Sequence, residues 1–231
     1  MASALIPFGK EIWLADGPVV EVAGFRYPTR MAVIRLPGDL LFLWSPVALS
    51  DALRSAVEAL GEVRYLVAPN TLHDRFLGEW QRAWPQAGLH APPGLAGRHP
   101  ELRFGRDLDE SDFPWSADIG QVVIPGNRIT TELAFFHRPS CTLLFTDLIQ
   151  HFPRGWFTGW RALVARLDGM TAAEPQVPRK FRYAFADRRA ARAAVRRILD
   201  WPAEQLVMAH GAPVARDAQA VTARAFKWLG V

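Results

Sequence analysis

Short apolar runs broken by turn residues open the chain. Residues 11–14 and 19–23 flank Asp16-Gly17-Pro18, and residues 31–36 and 40–44 flank Pro37-Gly38-Asp39. Apolar and aromatic runs bounded by Gly, Pro and Asp predict antiparallel strands joined in hairpins. The period then changes. Leu53, Val57 and Leu60 recur at helical spacing behind Ser50, a good N-cap, and Gly61 closes the segment. Residues 65–68 read as a short buried strand, 69–72 as a loop and 73–84 as a helix. Residues 87–114 are rich in Pro, Gly and charge, with strand-like steps near Leu89-His90 and residues 102–104. Residues 121–124, 133–136 and 143–145 are further strands, and 152–159 form an aromatic loop. Asp187 caps a helix over 188–199 whose stripe is Ala191, Val195, Ile198 and Leu199. Pro202 stops it, residues 205–208 form a strand and 215–229 a closing helix. Strands first, then strands mixed with helices, predict a layered α/β protein. With no internal repeat and no shift in composition, the expectation is one domain over residues 1–231.

Composition narrows the class. Half of the 231 residues are hydrophobic, with nine Trp and fourteen Phe, which excludes a disordered chain. The single Cys141 excludes an internal disulfide framework and any multi-cysteine zinc site. The formal charge is +4, and apart from Lys10, Lys180 and Lys227 every basic residue is arginine. No apolar run is long enough for a membrane span. Residues 1–10 lack the charged start and apolar stretch of a signal peptide, so the expected compartment is cytoplasmic.

Three of the six histidines stand just past a strand: His73 after 65–68, His137 after 133–136 and His210 after 205–208. Asp147 follows 143–145 in the same way. Ligands collect at the carboxyl ends of strands in layered α/β proteins. Imidazoles and carboxylates meeting there suit zinc, or iron or manganese if more oxygen ligands join. The plainer reading makes each histidine a hydrogen-bonded structural residue and Asp147 a cap for the residues after it.

The opening hairpins, a strand leading to a histidine loop, a later His…Asp pair and the final Met208-Ala209-His210-Gly211 resemble the metallo-β-lactamase superfamily over roughly residues 8–230. Arg30-Met31, residues 68–73, residues 136–140 and Leu143-Leu144-Phe145-Thr146-Asp147-Leu148 are similar to an uncharacterised branch of it, a domain-of-unknown-function family. The resemblance implies an αββα sandwich with metal-binding loops along one edge. The superfamily's His-x-His-x-Asp-His loop, laid on residues 70–75, meets Asn70, Leu72, Asp74 and Arg75. Leucine has no donor atom and arginine no free lone pair, so the first metal site of the superfamily is largely dismantled. What remains is a degenerate, mononuclear set drawn from His73, Asp74, His137, Asp147 and His210. An Asp-x-Gly turn that supports the loop in the superfamily is replaced by Trp44-Ser45-Pro46.

The implied function is a metal-dependent hydrolase-like protein of unknown substrate, with metal-bound water attacking an ester, amide, thioester or phosphoester. Asp74 or Asp147 would orient that water or take its proton, and Arg75 and Arg138 would pair with an anionic small-molecule substrate. The alternative is a member that has lost the metal and serves as a binding or scaffold module. Ser140 lacks the glycines of a nucleophile elbow, and Cys141 has no assignable acid–base partner. Arg189, Arg192 and Arg196 share a helix face that reads as solvated, so nucleic acid is not the expected partner. Residues 156–160, Trp-Phe-Thr-Gly-Trp, would either cover a pocket or a partner surface or pack as a loop on the sandwich.

Overall fold

Alternating side chains give each strand two faces, and burial of both is what organises this molecule. The computed structural model describes residues 5–109 and 111–231; residues 1–4 of the segment read for a signal peptide lie outside them. In chain order the strands are β1 (Ile6–Gly9), β2 (Ile12–Asp16), β3 (Val20–Val22), β4 (Phe25–Tyr27), β5 (Arg30–Leu36), β6 (Leu40–Trp44), β7 (Glu62–Val67), β8 (Gly88–His90), β9 (Ile119–Ile124), β10 (Glu132–His137), β11 (Thr142–Phe145) and β12 (Gln205–Met208). The helices are α1 (Asp51–Glu58), α2 (Leu77–Ala83), α3 (Gly159–Asp168), α4 (Arg179–Ala184), α5 (Arg188–Leu199) and α6 (Ala218–Phe226).

One sheet has the order β1-β2-β5-β6-β7-β8 and the other β12-β11-β10-β9. Their inner faces meet through Ile12, Leu14, Ile34 and Phe42 on one side and Leu133, Phe135, Leu144 and Val207 on the other. The alternate residues point outward. Met31, Val33 and Leu43 pack against Leu53 and Val57 of α1 and Trp80 of α2. Ala134, Phe136, Leu143 and Phe145 pack against Phe181 of α4, Val195 of α5 and Phe226 of α6. The result is the αββα sandwich. Each fully buried side chain of this size contributes about 1.5–3 kcal/mol. Ser50 and Asp187 cap α1 and α5 by accepting from the N–H groups of Leu53 and Ala190.

Several elements depart from expectation. β2 does not pair with residues 19–23; it lies between β1 and β5. β3 pairs instead with β4 in a separate ribbon, turned by Ala23 and Gly24 with φ of 49° and 77°. Two successive positive φ values match the strand twist in a two-residue hairpin, so the ribbon closes on itself. The helix expected over 73–84 begins only at Leu77. The Asn70 side chain accepts from the N–H groups of Leu72 and His73 and holds that stretch as a loop. α6 covers the middle of its expected span, and a 3-10 turn, Lys227–Leu229, follows.

β6, β7 and β8 run parallel, as do β11 and β12. Their carboxyl ends deliver Ser45, Asn70, Asp147 and His210 to one edge of the sandwich. β10 runs the other way and begins at that edge with Glu132.

Candidate metal centre

Asp147 lies at the centre. The turn after β11 is held by Glu132, whose side chain is fully buried. One Glu132 oxygen accepts from Thr146 N–H at 2.8 Å, and the other from Asp147 and Leu148 N–H at 2.9 Å each. Burial, then the neighbouring Asp147 carboxylate, pushes Glu132 up to about 7, against the three backbone N–H groups that favour its charged form. Asn70, also fully buried, donates from Nδ2 to Asp147 Oδ2 at 2.6 Å and to Thr146 Oγ1 at 2.9 Å. Gln150 Nε2 lies 3.5 Å from Asp147 Oδ1.

Two imidazoles face the same carboxylate. His73 Nε2 is 3.3 Å from Asp147 Oδ2, and His210 Nε2 is 3.3 Å from Oδ1. Burial pushes Asp147 up, but its hydrogen bonds to His210 and His73 outweigh that and hold it well below the usual carboxylate range. The three ligand atoms lie within 4.8 Å of one another. Each ring is held from behind. His73 Nδ1 meets Ser45 Oγ at 2.8 Å, with Ser45 itself bent into place at φ 54°. His210 Nδ1 donates to the Pro28 carbonyl at 2.7 Å. Arg30, paired with Asp16 at 2.8 Å, donates to the carbonyls of Met208 and Gly211 and straps the His210 loop to the first sheet. Phe152 stacks on His210 and Tyr27 meets it edge-on.

This arrangement fits a cation. A carbonyl only accepts, so His210 Nδ1 carries a proton. The Nε2 that faces Asp147 then either carries a second proton, as donor to the carboxylate, or offers its lone pair to a cation held between the two. Outer partners that fix ring tautomers in this way are a usual feature of histidine ligands. Gln150 Oε1 is a further buried oxygen without a hydrogen-bond partner.

The other expected residues do not join. His137 ends β10 at the far edge of its sheet, five residues and about 17 Å from Glu132. Its Nδ1 meets Ser140 Oγ at 2.7 Å, and burial depresses it to about 4. Asp74 faces away into a second network, 2.9 Å from His99 Nε2 and 3.3 Å from Arg98. Asp74 in turn raises His99 above the usual histidine value. Arg75 is exposed over the Phe76 ring. Arg138 is exposed at the His137 edge, beside Gly120 and Trp201. Of the expected residues the structure brings together His73, Asp147 and His210; the strands run so that His137 and Arg138 leave by the opposite edge, and Asp74 turns to His99 and Arg98. Glu132, Pro28, Arg30 and Gln150 were not assigned these supporting roles from sequence; Arg30 entered only through the resemblance of Arg30-Met31, and a lone acid opening an apolar strand is the signal that could have found Glu132.

Comparison with solved structures agrees with this architecture. A metallo-β-lactamase from Hirschia baltica matches at a TM-score of 0.63 and 15% identity, with 97% of each chain covered. A mono-zinc metallo-β-lactamase from Pseudomonas aeruginosa matches at 0.62 and 13%, covering 100% of this chain and 97% of that one. A protein described as a diflavin flavoprotein, from Nostoc sp., matches at 0.69 and 12%, covering 99% and 96%. No curated protein matches the chain. A family model described as "Domain of unknown function (DUF4336)" matches residues 10–156, more than half of the chain, and the chain therefore belongs to that family, built on the metallo-β-lactamase fold.

Proposed function

We propose that the chain is a metal-dependent hydrolase-like protein with a mononuclear centre. The carrying observation is that His73, Asp147 and His210 bring three ligand atoms within 4.8 Å, each ring oriented from behind. Three protein ligands leave coordination positions open, as catalytic sites require. Zinc suits two imidazoles and one carboxylate; iron or manganese suits the same set if an oxygen such as Gln150 Oε1 is added. Such an ion supplies Lewis acidity to a carbonyl or phosphoryl group and acidity to water at neutral pH. The chain's own part is to hold both rings in place, fix the His210 tautomer through the Pro28 carbonyl, keep Asp147 anionic and keep one side of the site apolar with Phe152 and Tyr27. The substrate class is an ester, amide, thioester or phosphoester. Arg138 lies past the end of β10 that is away from this cluster, and Arg75 rests over the Phe76 ring.

A second reading has a specific observation behind it. Asn70 donates to Asp147 where a ligating histidine would be expected from the resemblance, so the cluster also closes as a hydrogen-bonded core. In that case the chain is a metal-free binding or scaffold module. The discriminating experiment is an ester and phosphodiester screen on protein stripped of metal and then reloaded with zinc, iron or manganese. Activity restored by metal and lost in Asp147→Asn supports the hydrolase. Turnover that is absent, or unchanged by stripping, overturns it.

A further inference from the structure

The helix α3 is turned inside out. Trp160, Leu163, Val164 and Leu167 are 59%, 60%, 41% and 57% exposed, while Ala165 is buried against Phe152, Phe157 and Met170. At 100° per residue the four exposed side chains fall within about 100° of arc, a continuous apolar stripe of the kind that ordinarily faces a core. The stripe continues past the helix. Trp160 meets Phe25 of β4 edge-on at 5.6 Å, and Val22, opposite Phe25 in the ribbon, is 57% exposed. Contiguous exposed apolar surface of this kind marks an interaction site.

The charges around it select the occupant. Arg161 and Arg166 border the stripe on its two sides. Arg161 is bonded to the Gly24 carbonyl, which fixes the ribbon to the helix. Beside the stripe, Arg154 and Arg166 with Thr171 line a cavity of about 400 Å³. Guanidinium pairs and a hydroxyl are the donors that bind phosphate oxygens. Exposed apolar side chains on one helix face, flanked by arginine and carrying a tryptophan, match the boundary between acyl chains and anionic headgroups. A second copy of this chain is a poorer occupant, since its arginines would face these.

We infer that α3 and the β3–β4 ribbon form a docking surface for an anionic phospholipid bilayer, with Arg154, Arg166 and Thr171 receiving a headgroup phosphate. The surface is peripheral; among the described residues no helix is long and apolar enough to cross a membrane. It shares Phe152 with the wall of the His210 site, so docking places that edge of the sandwich toward the membrane.

The test is co-sedimentation of the full chain with phosphatidylcholine vesicles, with and without phosphatidylglycerol, at low and high salt. The expected result is binding to the anionic vesicles that weakens with salt. Leu163→Asp with Leu167→Asp should lower it about tenfold or more. Arg154→Glu with Arg166→Glu should remove the preference for phosphatidylglycerol. Circular dichroism and melting temperature should be unchanged in both double variants, because the substituted side chains are exposed. Wild-type protein that stays in the supernatant overturns the inference, as does equal binding by the Leu163/Leu167 variant. A wild-type dimer that the same variant dissolves assigns the stripe to self-association and overturns it as well.

Discussion

At the scale of single residues, the candidate centre depends on three side chains and on what stands behind each. His210→Ala and Asp147→Asn should each abolish metal retention, and His73→Ala should weaken it. His137→Ala and Asp74→Asn should leave metal content unchanged, a contrast that elemental analysis of purified variants reads directly. His137 makes a different prediction. Burial depresses it to about 4, below its unfolded value near 6.5. The unfolded chain therefore binds more protons between these values, and stability is lost as pH falls from about 6.5 to about 4. The loss from this one group is on the order of 3 kcal/mol. Denaturant midpoints for His137→Gln should fall less steeply with acid than those of the wild type; parallel curves would contradict the assignment. Ser45 was visible in the sequence as the residue standing where a supporting turn was expected. The Pro28 carbonyl was not, because nothing in residue identity marks a backbone acceptor.

At the scale of elements, the turns carry as much of the site as the strands do. Glu132 satisfies three backbone N–H groups in the 146–148 turn. Glu132→Gln replaces an acceptor oxygen with a donor and leaves at least one of those groups unpaired and buried. The expected cost is about 2–4 kcal/mol with weaker metal retention, measured by chemical denaturation and metal titration. Gly211 has a φ of 136°, and a side chain there would collide with the His151 carbonyl. Gly211→Ala should therefore displace the His210 loop and cost about 2 kcal/mol or more. An Ala variant with wild-type stability and metal content would show that the loop is not fixed in this way. The β5–β6 hairpin and both helix caps were legible because their determinants are adjacent in sequence. The β2–β5 pairing was not, because the ribbon of β3 and β4 intervenes and alternation does not name a partner. The length of α2 was misread because Asn70, a residue outside the helical pattern, captures the first N–H groups. Helix α3 was legible in the helical spacing of Trp160, Leu163, Val164 and Leu167 but was not read; that the stripe faces outward is the part no spacing states.

At the scale of the whole molecule, the sandwich brings residues from four strand ends to one edge, and that convergence is the part of the site the sequence conveyed best. His73, Asp147 and His210 were each placed after a strand, and three strand ends do meet. His137 met the same local criterion and failed, since β10 is antiparallel to β11 and leaves by the other edge. Strand direction is a property of the assembled sheet and is not written in any one segment. If the cluster takes a metal only when folded, the ion should raise the melting temperature in proportion to the logarithm of its concentration, and Asp147→Asn should abolish that rise.

The most direct measurement is the metal content of the full chain after exposure to zinc, iron or manganese and removal of excess, beside the His73→Ala, Asp147→Asn and His210→Ala variants. The expected result is about one tightly held ion per chain in the wild type, lost in the Asp147 and His210 variants. A wild type that retains none of the three metals, or variants that hold as much as it does, would contradict the proposed centre.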